Sequence, residues 1–213
     1  MNVFIKEEIA ANYDSYYHTP LGKEIDRIEK QAIGSLLPAT SHIPILELGC
    51  GTGHWSEFLS SKGFKVIALD ISEAMLSKAK MKEIKNVEFR KADATALPFP
   101  DDSFGMVVSI TMLEFVDDLE KVSNEIYRVL KPGGLFIAGC LNLNSQPGKT
   151  KDADETFRNA HFFTKTELAA LFKSWGNFEL NESVFLSPSF EILDGTMTTY
   201  PVEGVFLGIK VQK

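Results

Sequence analysis

This sequence of 213 residues has no cluster of basic residues, no long apolar run and only two cysteines. No apolar run approaches the roughly 20 residues of a membrane-spanning helix, so we expect no membrane partner. The N-terminus lacks the basic-then-apolar layout of a signal peptide, and the cytoplasm is therefore the expected location. The two cysteines, Cys50 and Cys140, provide neither a disulfide framework nor a set of metal ligands.

Positive charge is also scarce. The chain has 22 Lys and Arg residues against 29 Asp and Glu residues, for a net charge of −7, and the basic residues form no cluster. A nucleic-acid partner usually leaves a basic footprint on a protein, so we expect none here. The hydrophobic content of 44% is ordinary for a globular protein. The length suits one domain with a sizeable core, and no internal repeat divides it.

One stretch organises the chain, the sequence ILELGCGTGHW at residues 45–55. A buried strand is expected from about His42 to Leu48, and apolar residues at helical spacing from Trp55 predict a helix. Between them, three glycines alternate with other residues. Glycine permits positive φ and lets a ligand lie against bare backbone, and a helix N-terminus favours a carboxylate or phosphate. By itself, such a loop is also compatible with an ordinary tight turn.

The glycine spacing argues against a dinucleotide site. The dinucleotide fingerprint G-x-G-x-x-G would need a third glycine at position 54, where this chain has His54, and the third glycine is Gly53 instead. Glu47, just before the loop, is also unexpected in a dinucleotide site, because its carboxylate would face the negatively charged pyrophosphate. A nicotinamide-dependent oxidoreductase is therefore a disfavoured alternative.

The next predicted strand, residues 65–69, ends at Asp70. Asp70 follows Gly49 by about 20 residues, the usual distance to an acid that binds ribose hydroxyls in nucleotide-binding α/β folds. The alternative is that Asp70 caps the following helix. Ser72 already fits that role, with Glu73 in the first turn, so we favour the ribose.

Strands alternate with helices along most of the chain. Further strands are predicted at 86–91, 106–110 and 135–140, and two more at 178–186 and 205–211. Two helices are predicted within 4–37, the second starting near Pro20. Further helices are predicted from 113 to 130 and from a capping box at Thr164–Glu167. Residues 142–159 are predicted to form a mobile loop, and residues 187–203 a flexible stretch. This alternation predicts an open, mostly parallel α/β sheet with helices on both faces.

Four segments resemble class I S-adenosylmethionine-dependent methyltransferases. Residues 47–53 resemble motif I of that family, E-x-G-x-G-x-G. Residues 97–105 resemble the segment L-P-F-x-D-x-S-F-D of the ubiquinone-biosynthesis-like branch, although Gly105 replaces the last Asp. Residues 128–136 match the turn R-x-L-K-P-G-G-x-L, and residues 159–164 resemble the family's F-F-T helix entry. The resemblance extends from about Tyr13 to Phe172.

The resemblance implies a doubly wound, Rossmann-like sheet of seven strands, mostly parallel with the last strand antiparallel. Residues 1–40 would form an N-terminal helical lid, and residues 41–213 the core of a single methyltransferase domain. The implied cofactor is S-adenosyl-L-methionine, and the implied reaction is methyl transfer to a small-molecule acceptor.

Specific cofactor ligands also follow from the resemblance. The loop backbone would hold the aminocarboxypropyl end, Glu47 its amino group, Asp70 the ribose and Asp93 the adenine, although an Asp in this position is also common in plain turns. The full implied cofactor set is Tyr13, Glu47, Gly49, Cys50, Gly51, Gly53, Asp70, Ile71, Asp93, Ala94, Ser109 and Ile110.

Few motifs indicate which residues contact the methyl acceptor. The candidate residues are Tyr17, Glu114, Phe115 and His161. Tyr17 belongs to an aromatic segment, YDSYYHTPLGK at 13–23, that resembles lids of small-molecule methyltransferases, although simple packing of the segment is the alternative. Glu114 stands where the branch often has His, which suggests an amine substrate or merely a rim residue. His161 is equally compatible with plain packing.

No catalytic residue and no metal ligand are predicted, because the sulfonium is already an activated methyl donor. The Asn-Pro-Pro-Tyr signature of amino-methylating nucleic-acid enzymes is absent after the fourth core strand. A cofactor-binding partner protein without turnover remains an alternative. The acceptor atom and the oligomeric state do not follow from the sequence.

Overall fold

The computed structural model describes residues 3–39, 44–193 and 202–213. The strands in these ranges are β1 (Ile45–Leu48), β2 (Val66–Asp70), β3 (Val87–Lys91), β4 (Phe104–Ile110), β5 (Leu130–Leu141), β6 (Phe178–Ser183) and β7 (Phe206–Gln212). The α-helices are α1 (Glu7–Asn12), α2 (Pro20–Leu36), α3 (His54–Ser61), α4 (Glu73–Met81), α5 (Leu119–Val129), α6 (Gln146–Thr150) and α7 (Lys165–Leu171). Short 3-10 helices lie at Val3–Ile5, Tyr13–His18, Leu113–Phe115 and Lys151–Ala153.

The seven strands form one sheet in the order β3-β2-β1-β4-β5-β7-β6. The pairs from β3 to β5 are parallel, whereas β7 runs antiparallel to both of its neighbours. This confirms the predicted mostly parallel sheet with its last strand antiparallel. The chain order reverses between β1 and β4, so the loops after these two strands diverge there and leave a crevice at the strands' carboxyl ends.

Side-chain alternation in the central strands separates two buried layers. Leu46 and Leu48 of β1 pack with Val122 and Ile126 of α5 on one face of the sheet. Ile45 packs in the layer on the opposite face, which includes residues of α2 and α3. Both faces are thus covered by helices. β1 is buried along its whole length, as a central parallel strand should be.

The segment predicted to be helical at 4–37 forms two α-helices, as expected. α1 ends at Asn12, a 3-10 helix covers Tyr13–His18, and α2 begins at Pro20. Thr19 is extended, and its Oγ1 accepts a hydrogen bond from the Gly22 nitrogen at 2.9 Å. Pro20 lacks the N–H that a continuous helix would need at this point, so the chain starts a new helix there, as predicted for this proline.

Two boundaries differ from the sequence predictions. The helix predicted from 113 begins at Leu119, because the Asp118 side chain accepts from the Lys121 nitrogen at 2.9 Å and caps it there. Residues 142–159, predicted to be a mobile loop, contain α6 and a 3-10 helix. The buried Asn142 fixes the start of this segment by donating to the Gly204 carbonyl at 2.9 Å.

The strand predicted at 178–186 ends at Ser183, because Val184 has a φ of 57° that interrupts extended backbone. The predicted start of β1 at 42–43 and part of the predicted flexible stretch at 187–203 lie outside the described residues. Within those residues, no helix is long and apolar enough to cross a membrane.

Candidate functional site

A cavity of about 240 Å³ lies at the carboxyl ends of β1, β2 and β4, beneath the N-terminal segment. It occupies the crevice expected where the strand order reverses. Most of the sequence-predicted site residues line it: Tyr13, Gly49, Cys50, Gly51, Asp70, Ile71, Asp93, Ala94 and Ile110 from the cofactor set, and Tyr17 and Phe115 from the acceptor set.

The glycine loop forms the floor of this cavity. Gly49, Gly51 and Gly53 have φ values of 70°, 53° and 82°, as the sequence predicted for a loop that needs left-handed backbone. A Cβ on Gly49 would overlap the Met112 side chain, so any other residue there would displace a cavity wall. A Cβ on Gly51 would meet nothing within 4 Å, so bare backbone faces open space there.

Asp70 links the end of β2 to this loop. Its two carboxylate oxygens accept hydrogen bonds from the Gly51 and Ser72 nitrogens, each at 2.8 Å. Burial raises the pKa of Asp70, although these backbone bonds oppose the shift. Ser72 caps α4 through its own side chain, as predicted, so the carboxylate of Asp70 is left at the cavity wall.

The wall after β3 carries the predicted adenine residues. The Asp93 Oδ1 accepts from the nitrogen and the hydroxyl of Thr95, both at 2.8 Å, which fixes the turn. Ile71, on the facing side, is 43% exposed, so its apolar side chain is open to a ligand. Asp93 thus makes turn bonds and also lines the cavity.

Three residues of the predicted cofactor set lie behind the lining. Glu47 is 2% exposed beneath the loop, where its Oε2 accepts from the Ser56 hydroxyl at 2.5 Å, and burial raises its pKa to about 7. Gly53 caps the start of α3. The Ser109 hydroxyl is buried, with no hydrogen-bond partner among the described residues.

An aromatic lid covers the cavity, and we use this name for residues 4–18. Phe4, Tyr13 and Tyr17 of the lid line the cavity. The ring of Phe4 makes edge contacts with Tyr13 and with Phe115 on the far wall, at centroid distances of 5.8 and 4.8 Å. Tyr13 in turn contacts Tyr17 at 6.1 Å.

Polar bonds hold the lid onto the core. The Thr52 hydroxyl of the glycine loop donates to Asp14 at 2.5 Å, and Lys82 forms an ion pair with Asp14 at 2.7 Å. Partial burial acts to raise the pKa of Asp14, but the bonds from Lys82 and Thr52 outweigh it and leave the pKa below its usual value. The Ser72 hydroxyl also donates to the Phe4 carbonyl at 2.7 Å.

His54 makes a second link, which the sequence motifs did not predict. Its ring stacks on Tyr17 with centroids 3.6 Å apart and planes 9° apart. The His54 Nε2 lies 2.7 Å from Asp26 and 2.9 Å from Lys30, both on α2. The sequence offered one indication of it, which is the position of His54. This residue immediately follows the glycine loop, where a dinucleotide site would have glycine.

Phe4, Thr111 and Met112 were also missed. Thr111 and Met112 follow β4 and line the cavity, and Thr111 has a φ of 48°, an uncommon conformation for a β-branched residue. Strained backbone of this kind is often found at functional sites. No sequence motif marks these residues, since their placement depends on how β4 ends beside the glycine loop.

Glu114 and His161 do not line the cavity. Glu114 is 2% exposed, and its Oε1 accepts from the Leu141 nitrogen at 2.6 Å. The His161 side chain is 57% exposed and lies 3.8 Å from Glu167. The His161 backbone nitrogen donates to the Glu114 carbonyl at 2.8 Å.

The charge of the cavity wall has one sign. The acids Asp70, Asp93, Asp117 and Asp118 line it, and no Lys or Arg does so within the described ranges. The nearest cations of the lid region, Lys82 and Lys30, are already paired with aspartates. The site is therefore suited to ligands that carry positive charge.

Comparison with known proteins places this architecture among methyltransferases. A family model described as a methyltransferase domain matches residues 46–138. An uncharacterized protein of Methanocaldococcus jannaschii is 31% identical over 194 residues, which cover 87% of this chain and 86% of that protein. Demethylmenaquinone methyltransferase of Lactococcus lactis is 49% identical over 103 residues, and this chain spans only 40% of that enzyme's length.

A solved structure is similar over nearly the whole chain. It is described as an S-adenosylmethionine-dependent methyltransferase, possible histamine N-methyltransferase, from Thermotoga maritima. Its TM-score is 0.79 at 29% identity, and the match covers 98% of each chain. The similarity therefore includes the lid region as well as the sheet.

Proposed function

Because the chain belongs to the class I S-adenosylmethionine-dependent methyltransferases, we propose that it transfers the methyl group of S-adenosylmethionine to a compact acceptor of low molecular mass. S-adenosylmethionine is the cofactor of this family. The observation that carries the proposal is the lid, whose aromatic rings cover the cavity and whose polar bonds hold it to the core. A macromolecular acceptor would have to displace this lid.

The residues around the cavity fit the cofactor. The open space at Gly51 suits a ligand laid against the loop backbone. The Asp70 carboxylate lines the cavity beside this loop and would accept from the ribose hydroxyls. Ile71, Asp93 and Ala94 line the wall at which an adenine would stack and hydrogen-bond. Glu47 would act from beneath the loop, through the backbone or a water, since it does not line the cavity.

Bound S-adenosylmethionine supplies an activated sulfonium methyl group. The protein's contribution is to position the acceptor and to exclude water, and positioning alone can be worth about 7–11 kcal/mol of a reaction barrier. Tyr13, Tyr17 and Phe115 perform both tasks in this proposal, because they close the cavity and contact whatever occupies it. No acid–base residue is needed if the acceptor is a thiolate, a neutral amine or a carbanion.

Several further expectations belong to the same proposal. We expect the 213 residues to act as one methyltransferase domain, with residues 1–40 as its lid and 41–213 as its core, in the cytoplasm. We expect no nucleic-acid acceptor, since the net charge is −7 and the cavity wall is acidic. The description of the Thermotoga maritima relative, which names a small acceptor, supports the same size class.

A cofactor-binding protein without turnover is the second candidate function. It is favoured by the fact that no motif in the chain requires catalysis. Release of S-adenosylhomocysteine separates the two candidates. We expect release with pools of small metabolites, and loss of it in Tyr17→Ala, while bulk RNA and protein extract give none. Turnover only on RNA or on the protein extract would contradict the proposed acceptor class.

A further inference from the structure

Resting on the methyl transfer proposed above, we propose that His54 is a positioning residue for the acceptor. Its ring holds the ring of Tyr17 over the cavity, and Asp26 and Lys30 of α2 hold the His54 ring in turn. Both His54 and Tyr17 line the cavity. The proposed role is to fix where the lid places the acceptor, and it requires no proton transfer by His54.

The stack between His54 and Tyr17 differs from the ring contacts within the lid. Its planes are 9° apart and its centroids 3.6 Å apart, so the two rings lie face to face with little offset. The contacts of Tyr17 with Tyr13 and with Tyr16 are edge contacts, with planes 66° and 73° apart. Aromatic rings prefer offset or edge arrangements over a face-to-face stack. The stack therefore indicates that other bonds set the plane of one ring.

Polar bonds to α2 set the plane of the His54 ring. Its Nε2 lies 2.7 Å from the Asp26 Oδ1 and 2.9 Å from the Lys30 Nζ. Lys30 also pairs with the second Asp26 oxygen at 2.8 Å. Nε2 donates to the carboxylate when it carries a hydrogen, and it accepts from the ammonium group when it does not. In either form, the ring is bonded to α2.

These bonds are largely shielded from solvent. The side chains of His54, Asp26 and Lys30 are 17%, 16% and 23% exposed. Partial burial acts to raise the pKa of Asp26, but the bonds from His54 and Lys30 outweigh it and leave the pKa below its usual value. Asp26 is therefore a carboxylate at neutral pH. A hydrogen bond shielded from water is electrostatically stronger than an exposed one, so the ring is held firmly.

His54 attaches Tyr17 to the core. It is the first residue of α3, and its ring makes an edge contact with the buried Trp55 at a centroid distance of 6.5 Å. Among the described residues, the other ring contacts of Tyr17 are with Tyr13 and Tyr16, which belong to the lid themselves. Without His54, no ring of the core in this part of the structure would hold Tyr17 in place.

A loosened Tyr17 would affect the acceptor more than the cofactor. Methyl transfer needs the acceptor atom about 3–3.5 Å from the methyl carbon, and a misplacement of about 1 Å can cost roughly 100-fold in rate. The cofactor contacts proposed for the loop backbone and for Asp70 do not involve the stack. Loss of the His54 side chain should therefore lower turnover and leave the affinity for the cofactor unchanged.

The first measurement is hydrogen exchange in the S-adenosylhomocysteine complex, followed on peptides that cover residues 13–18. We expect His54→Ala to speed exchange in this segment at least about fivefold, because Tyr17 loses its attachment to the core. Glu57→Ala is the matched control and should change nothing there, since Glu57 lies in the same first turn of α3 and is exposed. Calorimetry should give both variants the wild-type affinity for S-adenosylhomocysteine within about twofold.

A double-mutant cycle on the same exchange rates shows whether His54 acts through Tyr17. Each of the variants His54→Ala and Tyr17→Ala should speed exchange at residues 13–18. The double variant should exchange no faster than the faster of the two single variants, because both remove the same stack. A side chain that only stabilised the fold in general would give additive effects.

The second measurement is turnover of a small probe acceptor, chosen as the best of benzylamine, butylamine, benzenethiol and 2-mercaptoethanol. We expect His54→Ala to lower kcat/KM about tenfold or more. His54→Gln should recover most of this loss, because its amide group is flat and its nitrogen can donate to Asp26. His54→Phe keeps a flat ring without the polar bond and should remain impaired.

The outcomes separate this inference from the function on which it rests. Unchanged exchange or unchanged turnover in His54→Ala, additive effects in the cycle, or full turnover in His54→Phe would overturn the positioning role while methyl transfer stands. Absence of turnover on every small acceptor, in protein that binds S-adenosylhomocysteine normally, would refute the methyl-transfer proposal itself. The exchange measurements would then still decide whether His54 positions Tyr17.

Discussion

The two sides of the cavity are built in different ways. The glycine-loop side comes from one contiguous part of the chain, and its contacts are backbone groups and the short side chain of Asp70. The lid side brings together residues far apart in sequence, from Phe4 to Phe115. The backbone contacts of the glycine-loop side suit a ligand that does not vary, which is the cofactor. The side chains of the lid side can vary with the acceptor.

The largest expected effect is on the glycine-loop side. Gly51→Val should weaken S-adenosylmethionine by more than about 100-fold, or about 2.7 kcal/mol, because its side chain would project into the open space that the cofactor would use. Calorimetric titration with S-adenosylmethionine measures this.

Gly63→Val is the matched control for backbone strain. Gly63 also has a positive φ, of 91°, and open space around its Cβ, but it does not line the cavity. Both variants should lose a similar amount of stability, of order 1–2 kcal/mol. If Gly51→Val binds the cofactor as Gly63→Val does, the loop is only a turn.

The second effect concerns Asp70. Asp70→Ala should cost about 1.5–3 kcal/mol of cofactor binding. Asp70 also accepts hydrogen bonds from the Gly51 and Ser72 nitrogens, so part of the lost binding free energy can come from a looser loop. The 2′,3′-dideoxy analogue of S-adenosylhomocysteine separates the two causes, since it lacks the ribose hydroxyls. We expect the variant and the analogue to be strongly non-additive, and simple additivity would contradict a ribose contact.

The third prediction is a pH dependence that arises from the buried carboxyl group of Glu114. The pKa of Glu114 is about 7 in the folded protein, above the value of 4.5 for an unperturbed glutamate. A raised pKa means that its favourable contribution is full below about pH 4.5 and is lost as the pH rises through about 7. Glu114→Gln should therefore raise the free energy of unfolding by about 1–3 kcal/mol at pH 8, and by little at pH 4.5.

Urea unfolding at both pH values measures this difference. Glu155→Gln is a suitable control, because the Glu155 side chain is 94% exposed. A stability gain that is the same at both pH values would show that the buried carboxyl group of Glu114 is not the cause.

The smallest expected effect is on the lid's attachment. Lys82→Met removes a partly exposed ion pair with Asp14, and such pairs contribute about 0–1 kcal/mol. We expect little change in stability but faster dissociation of S-adenosylhomocysteine, measured by stopped flow, because the lid opens more often. Lys91→Met removes an exposed pair with Glu73 away from the lid and should leave the rate unchanged. Equal rates in the two variants would argue against a gating role for Asp14.

The same contrast explains what the sequence could predict. The mostly parallel sheet, the strand-to-helix loop and Ser72 as a cap follow from local patterns with a backbone cause. His54 and Thr111 depend instead on tertiary contacts with Tyr17 and at the end of β4.

The boundary errors have a similar origin. The late start of α5 at Leu119 arises from a side-chain cap, which competes with a hydrophobic period that continues through it. Residues 142–159 have a polar sequence, yet Asn142 is buried by its bonds to the segment before β7. Such partners are distant in sequence, and no local pattern reveals them.

The division of labour between the two sides is tested most directly by two measurements made on two variants. Calorimetry would give the dissociation constant for S-adenosylhomocysteine, and S-adenosylhomocysteine release would give the turnover of small acceptors, in Asp70→Ala and in Tyr17→Ala. We predict that Asp70→Ala weakens S-adenosylhomocysteine, whereas Tyr17→Ala keeps its affinity for S-adenosylhomocysteine and loses turnover. A Tyr17→Ala variant that loses affinity for S-adenosylhomocysteine, or keeps full turnover, would contradict the account.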